Sequence, residues 1–306
     1  MILVTGASGY VGQRLLPLLK SHNGDSPVIT AGRDLHVHDR HLDLRNPTGC
    51  RKVTEGVQTL IHCAGLAHDA AASADYDRVN VQASLVLADS ALASGVKRFI
   101  YISSMNVVNA EARDPHLAVT SLPCPSTPYA ASKWHAERGL ETLLRDTSCE
   151  LCIVRPALIY DRELTGNLAR LASLARLIPA RFPDTGHRSM VCREDLVGAL
   201  SEIVEQPFGA AGVQRYALWD GQHYSARRIA DAIVGPRPMR LPTWLWRLAA
   251  SMRDSSRRAP AGSTWAAIGE KHWIGSRGVE PVFGVHWHLE SRLAAPPYLL
   301  DQGSPP

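Results

Sequence analysis

The sequence predicts an α/β fold: a doubly wound parallel sheet with helices on both faces, followed by a smaller lobe. Three observations predict it. Apolar, strand-type runs alternate with helix-period stretches through the first half of the chain. A glycine-rich turn, Thr5-Gly6-Ala7-Ser8-Gly9-Tyr10-Val11-Gly12, joins the first strand signal to the first helix signal. Beyond Arg155-Pro156 the alternation lapses, and Pro and Trp become frequent. Alternating strand and helix signals argue for parallel strands joined by crossover helices. Ligands of such sheets sit beyond the carboxyl ends of the strands.

Each element has its own warrant. Residues 2–4 (Ile-Leu-Val) are a short apolar strand, and residues 10–20 carry helical periodicity interrupted by Pro17, where a bend is expected. Glycines between them let the backbone turn sharply and approach a ligand. The helix start then offers unpaired N–H groups and a positive dipole end to a phosphate. Further strands are expected at 27–31, 58–63, 97–103 and 151–154, with helices at 70–94 and 128–144. Later signals are sparser: helices at 194–204 and 225–233, and a short, isolated strand at 213–218. The organisation expected is a dinucleotide-binding, Rossmann-like domain over 1–156. A substrate-binding lobe follows over 157–300, partly returning to the main sheet, and then a disordered tail, 301–306.

Composition is that of an ordinary soluble protein. The chain has 306 residues, 45% hydrophobic and 20% charged, enough for one large or two small domains. A net charge of +4, with Lys and Arg spread along the chain, gives no ground for a nucleic-acid partner. No apolar run approaches the roughly 20 residues of a membrane span. A strand beginning at residue 2 leaves no room for a signal peptide, so a cytoplasmic location is expected. The six cysteines are Cys50, Cys63, Cys124, Cys149, Cys152 and Cys192. Cys149 and Cys152 are three apart near a strand, where side chains three apart face opposite ways, so buried free thiols are expected there. His36, His38 and His41 cluster after the second strand without a cysteine or matching second cluster, so an exposed loop is expected and no metal site. Pro242-Thr243-Trp244-Leu245-Trp246-Arg247, with Arg253, Arg257 and Arg258, fits either an interfacial membrane helix or a helix covering the smaller lobe.

Chemistry enters at Tyr129-Ala130-Ala131-Ser132-Lys133. Thr127 is placed to cap the helix and Pro128 suits its first turn. Tyr129 and Lys133, four apart, share a helix face. An ammonium and a helix N-terminus beside a phenol both favour the phenolate, so a lowered Tyr129 pKa is expected. Such a phenol can exchange a proton at a C–OH or C=O centre undergoing hydride transfer. Upstream, Arg98-Phe99-Ile100-Tyr101-Ile102-Ser103-Ser104 is a buried-type strand ending in two serines, with the Ser104 hydroxyl available to a reacting oxygen.

Glycine turn, terminal serine and Tyr/Lys helix, in that order, resemble the extended short-chain dehydrogenases/reductases of the nucleotide-sugar epimerase/dehydratase group. The resemblance covers roughly residues 1–235 and extends to Leu42-Asp43-Leu44, Ile61-His62-Cys63-Ala64-Gly65, Val79-Asn80-Val81 and Val154-Arg155-Pro156. It implies cofactor binding by Gly6, Gly9, Tyr10, Val11, Gly12, Arg33, Asp43, Leu44, Cys63, Ala64, Gly65, Asn80, Tyr129 and Lys133. Asp43 would meet adenine, Ala64-Gly65 the nicotinamide ribose and phosphates, and Asn80 the network beside them. It implies catalysis by Ser104, Tyr129 and Lys133, with the cofactor performing the redox step.

The point after strand two, where an acidic residue usually reads a ribose 2′-hydroxyl, is Ala31-Gly32-Arg33-Asp34. Gly32 occupies the acidic position and Arg33 favours a 2′-phosphate. NADP is therefore the cofactor expected, with NAD the alternative through Asp34. Val107-Val108-Asn109-Ala110-Glu111 resembles a bacterial subgroup of UDP-sugar 4-epimerases and 4-ketoreductases serving surface polysaccharides. By the same resemblance Asn167 and Arg188 bind the nucleotide sugar, Arg188 clamping its diphosphate. Glu194-Asp195 would cap the next helix. Tyr160-Asp161-Arg162 departs from the family's Tyr-Gly-Pro. The resemblance also implies a homodimer through the helices at 70–94 and 128–144. Three readings follow: a 4-ketoreductase, a 4-epimerase with bound NAD, or a non-catalytic dinucleotide-binding sensor or scaffold.

Overall fold

A computed structural model of the chain describes residues 1–22, 26–46, 49–67, 73–108, 119–209, 212–242, 246 and 282–294. Seven parallel strands form the main sheet: β1 (Ile2–Thr5), β2 (Val28–Gly32), β3 (Arg40–His41), β4 (Thr59–His62), β5 (Arg98–Ile102), β6 (Glu150–Pro156) and β10 (Val213–Leu218). Their order is β10-β6-β5-β4-β1-β2-β3. The chain leaves β1 toward β2 on one side and returns to β4 on the other, so the topological switch lies between β1 and β4. The glycine turn follows β1 at that point, the position at which such sheets bind ligands.

Both sheet faces are buried. Leu3, Leu60, Phe99, Tyr101, Leu151 and Ile153 belong to one core with α2 (Cys50–Thr54), α4 (Ala83–Ala93) and α5 (Pro128–Leu144). The alternate residues Val4, Ile61, Ile100 and Val154 point the other way and are equally inaccessible. A strand buried on both faces reads as a continuous apolar run rather than an alternating one, as these do. Helix α1 (Gly12–His22) packs on β1 and β2. It starts two residues later than periodicity suggests, because Tyr10 and Val11 belong to the turn.

The helix expected at 70–94 is described from Ser73. It runs through α3 (Ser73–Tyr76), a π-helical turn (Asp77–Gln82) and α4. Val213–Leu218 is not an isolated strand: it pairs in parallel with β6 and forms the sheet's edge. The reason is local to that edge. Arg98 and Glu150, both buried, pair at 2.7 Å, and Arg98 also donates to the carbonyls of Ile203, Gln206 and Pro207 in the connection leading to β10.

The chain divides into two compact units. The first holds the seven-stranded sheet: Met1–Val108, His116–Pro156 and Leu196–Leu218. The second comprises Asn109–Pro115, Ala157–Asp195 and Trp219–Pro306. In the second unit β7 (Leu158–Tyr160) pairs in parallel with β9 (Arg188–Cys192), β11 (His223–Tyr224) pairs antiparallel with β9, and β8 (Ala180–Arg181) pairs in parallel with β12 (Met239–Arg240). Helices α6 (Gly166–Leu177) and α8 (Ala226–Val234) pack beside them with Trp287 and Leu289. Within the Trp/Arg-rich segment 242–258, only residues 242 and 246 are described. Trp246 is buried against Phe182, ring centroids 4.8 Å apart. The tail 301–306 lies outside the described residues.

Candidate active site

The glycine turn is as tight as the spacing implies. Gly6 has φ +70°, and a Cβ there would stand 2.6 Å from the Ala64 nitrogen. A Cβ at Gly12 would lie 2.6 Å from Ala7 Cα. Only glycine fits either place, one for its left-handed backbone and its contact with the β4 end, the other for close turn–helix packing. The Gly9 N–H donates to the Gly6 carbonyl at 2.9 Å, and Tyr10 and Val11 complete the turn ahead of α1. The residues present fit a pyrophosphate at the helix start.

Beside the turn runs a buried chain of hydrogen bonds. The Ala64 N–H donates to Thr5 Oγ1, which lies 2.7 Å from His62 Nδ1. His62 Nε2 lies 2.9 Å from Ser84 Oγ, and Ser84 donates to the Asn80 carbonyl. Because Ser84 spends its proton on Asn80, it accepts from His62, which fixes the neutral Nε2–H tautomer. Burial, with the Lys133 charge adding to it, holds the His62 pKa at about 3.

Asn80 sits in the π-helical turn, a distortion frequent at functional sites. Its amide accepts from the Leu66 N–H at 2.7 Å, and donates to the Leu66 carbonyl and to Ser132 Oγ, each at 3.0 Å. Ser132 donates in turn to the Tyr129 carbonyl. A Cβ on Gly65 would stand 3.0 Å from Asn80 Oδ1 and 3.5 Å from Lys133 Nζ. Asn80, Ala64-Gly65 and the Tyr/Lys helix thus meet at one place.

Ser104, Tyr129 and Lys133 also meet. The Ser104 hydroxyl hydrogen-bonds the Tyr129 phenol. Lys133 donates to the Ile102 carbonyl at 2.8 Å, with its ammonium 4.7 Å from the centre of the Tyr101 ring. The expected lowering of the Tyr129 pKa is corrected: burial pushes it up to about 12, against the Ser104 hydrogen bond. Burial lowers Lys133 to about 8, with Cys63 and Glu137 opposing. Desolvation is the largest influence on both groups and sets the direction of each shift. Thr127 stands at the N-cap with Pro128 in the first turn, but its side chain makes no cap bond.

Sequence reasoning passed over the support beneath this trio. Glu137, one turn beyond Lys133, accepts from Ser103 Oγ and pairs with Arg155 through contacts of 3.1 and 2.6 Å. Glu137 and Arg155 are fully inaccessible. The signal was an acid four residues past Lys133, with Arg155 already noted as a motif residue.

The remaining cofactor-side residues are placed as follows. Arg33 is exposed just beyond β2. Asp43 accepts the Arg45 N–H at 2.9 Å in a local turn, and Leu44 packs against the sheet core. Cys63 is partly exposed, its thiol pushed up to about 12 by burial. His36 and His41 are exposed, but His38 is buried, correcting the expectation of a wholly exposed loop. Among the described residues no cluster of His, Cys, Asp or Glu is arranged to hold a metal ion.

Asn167 and Arg188 belong to the second unit. Asn167 lies in the first turn of α6, and Arg188 opens β9 with its Nε donating to the Gly186 carbonyl at 3.1 Å. An open cavity of about 460 Å³ in that unit is lined by Asp184, His187, His223, Arg227, Arg228 and Glu290. The departure at Asp161 has a structural reason. Asp161 pairs with Arg193 at 2.6 Å and with Arg292 at 2.9 Å, and Arg292 also pairs with Glu194. Burial would raise the Asp161 carboxyl, but Arg292, the Arg162 N–H and Arg193 hold it below the usual range. Glu194 and Asp195 hold the C-terminal segment as well as opening α7 (Arg193–Glu205): Asp195 accepts the N–H groups of His286 and Trp287.

A family model for NAD-dependent epimerases/dehydratases matches residues 2–181. UDP-glucose 4-epimerase of Vibrio cholerae is 31% identical over 274 residues, 81% of this chain and 80% of its own. Ceramide reductase of Caulobacter vibrioides is 31% identical over 256 residues, 79% of this chain and 74% of its own. Thermus thermophilus UDP-glucose 4-epimerase, solved in complex with NAD, superposes with a TM-score of 0.62 at 20% identity. It covers 87% of this chain and 96% of its own, a likeness that speaks for the fold alone. No described helix is long and apolar enough to cross a membrane.

Proposed function

The chain belongs to the NAD-dependent epimerase/dehydratase family, and we propose that it is a reductase of the 4-keto group of a UDP-sugar, preferring NADP(H) and serving surface polysaccharide synthesis. The observation that carries this reading is the meeting of Ser104, Tyr129 and Lys133 where β5 ends and α5 begins, with Lys133 fixed on the Ile102 carbonyl and burial pushing the Tyr129 pKa up to about 12. Reduction needs an acid at the carbonyl oxygen, and a phenol that keeps its proton at neutral pH is that acid. Epimerisation uses the same acid in its second half, after the phenolate has first taken a proton from the substrate hydroxyl, so net consumption of reduced cofactor is what separates the two.

The bound dinucleotide would supply the hydride. Gly6, Gly9 and Gly12 with the start of α1 would hold its pyrophosphate, Arg33 its 2′-phosphate, Asp43 its adenine, and Gly65 and Lys133 its nicotinamide ribose. Ser104 orients the substrate oxygen. Tyr129 gives that oxygen its proton as the new C–H bond forms. Lys133, fixed by the Ile102 carbonyl and the Tyr101 ring, presents positive charge to the alkoxide side of the transfer. Asn167 and Arg188 would bind the nucleotide sugar, and a homodimer through α4 and α5 is the assembly proposed. The Vibrio cholerae relative supports the second reading, a UDP-sugar 4-epimerase using NAD.

A panel of UDP- and dTDP-4-keto sugars and UDP-hexoses, each with NADPH and NADH, separates the two. A reductase consumes one reduced cofactor per product, whereas an epimerase interconverts hexoses with no net consumption. Tyr129→Phe should slow turnover on the order of 10²–10⁴-fold with cofactor binding retained. Full activity in that variant would remove Tyr129 from the mechanism.

A further inference from the structure

We propose that His38 determines cofactor specificity, by locking position 32 as glycine and presenting an imidazole where a carboxylate would otherwise read the ribose. The inference rests on the NADP(H) reading above and deepens it. Strand β2 ends at Gly32, whose carbonyl accepts the Leu42 N–H at 2.8 Å. The next residues form a tight turn on Asp34. Its carbonyl accepts from Val37 at 3.1 Å and from His38 at 2.9 Å, and its carboxylate accepts from the His36 N–H at 2.9 Å. That turn folds the imidazole inward and the aliphatic side chains outward. His38 is 9% exposed, against 61% for Leu35 and 63% for Val37.

The ring lies on Gly32. A Cβ at position 32 would stand 2.8 Å from the His38 Cγ and closer still to Cδ2 and Nε2. No side chain fits there unless the imidazole leaves. His38 Nδ1 is also buried with no hydrogen-bond partner among the described residues. A buried polar atom without a partner is costly, so packing alone does not account for the arrangement. An imidazole lying on Gly32, the residue before exposed Arg33, leaves that strand end without a carboxylate and suits an anionic group at the ribose. A carboxylate at position 32 would repel that group and has no room to stand.

Three variants of the full-length protein test the lock: His38→Ala, Gly32→Asp and the double substitution. NADPH and NADH affinities are measured by fluorescence titration, and melting temperatures without cofactor. His38→Ala should weaken NADPH about tenfold, the effect of losing one hydrogen bond to a charged group, with NADH affinity unchanged. Gly32→Asp should bind both cofactors poorly, and the double variant should regain NADH binding. An unchanged NADPH/NADH ratio in His38→Ala overturns the specificity role. A Gly32→Asp protein that gains NADH selectivity as fully as the double variant overturns the lock. The melting temperatures keep this separate from the parent reading. Gly32→Asp should cost stability in the native background and little in the His38→Ala background. If the native protein takes both cofactors equally, the NADP(H) reading fails while this coupling still decides the lock; equal cost in both backgrounds ends it.

Discussion

His62 shows how far a single residue can be read. Its position after an apolar strand marks it as a strand end, but its protonation state follows from Thr5, Ser84 and complete burial. The folded pKa is about 3, below the ordinary 6.5. Between those values the unfolded chain binds more protons than the folded one, so stability falls as pH drops from about 6.5 toward 3. The contribution approaches about 1.4 kcal/mol per pH unit. Urea midpoints of the native protein should therefore fall through this window. His62→Gln, although less stable at neutral pH, should lose stability less steeply there. An equal slope in both proteins would mean that His62 does not carry the effect. The same distinction explains the correction at Tyr129. The spacing of Tyr129 and Lys133 gives their common helix face, whereas the direction of the phenol's shift depends on how deeply the pair is desolvated. Spacing does not encode that depth.

At the scale of elements, α5 is a three-part device, with Tyr129, Lys133 and Glu137 at successive intervals of four. Glu137 fastens the helix to Ser103 at the end of β5 and to Arg155 at the end of β6. Removing one partner of a fully buried ion pair leaves the other charge uncompensated, at a cost of roughly 3–5 kcal/mol. Glu137→Gln and Arg155→Met should each destabilise by about that amount. The double variant should lose much less than the sum, because no orphan charge remains. Strict additivity in denaturant unfolding would show that the two charges are not coupled. Strands and helices with strong patterns were legible, and α5 was legible to the residue. Helix α6 was not read, although Leu168, Leu171, Ala172 and Ala175 make its buried stripe, because Gly166 and Asn167 resemble a loop. Val213–Leu218 looked isolated because its partner β6 lies far away in sequence, a pairing that no local pattern expresses.

At the scale of the whole molecule, the switch between β1 and β4 was implicit in the order of glycine turn, serine end and Tyr/Lys helix. The second unit was less legible because its ties are ionic and long-range. Asp161, read as a departure from Tyr-Gly-Pro, is the centre of one of them, joining Arg193 and Arg292 across 131 positions of sequence at the longer link. Arg292 is 1% exposed in the helix Leu289–Ala294 and also holds Glu194. Its loss leaves Asp161 with Arg193, so the cost belongs near the lower end of the roughly 3–5 kcal/mol expected for a broken buried pair. Arg292→Met should loosen the C-terminal helix and the strands that it supports. Hydrogen exchange would then show faster amide exchange at Tyr160, Val191, Trp287 and Leu289, with β1, β4 and β5 as the internal reference. Arg292→Lys should restore part of the protection, since it keeps the charge without the two-pronged geometry by which one guanidinium reaches both Asp161 and Glu194. Unchanged exchange at Trp287 and Leu289 in Arg292→Met would mean that apolar packing alone holds this helix, and that Asp161 replaced the family's glycine for some purpose other than anchoring it.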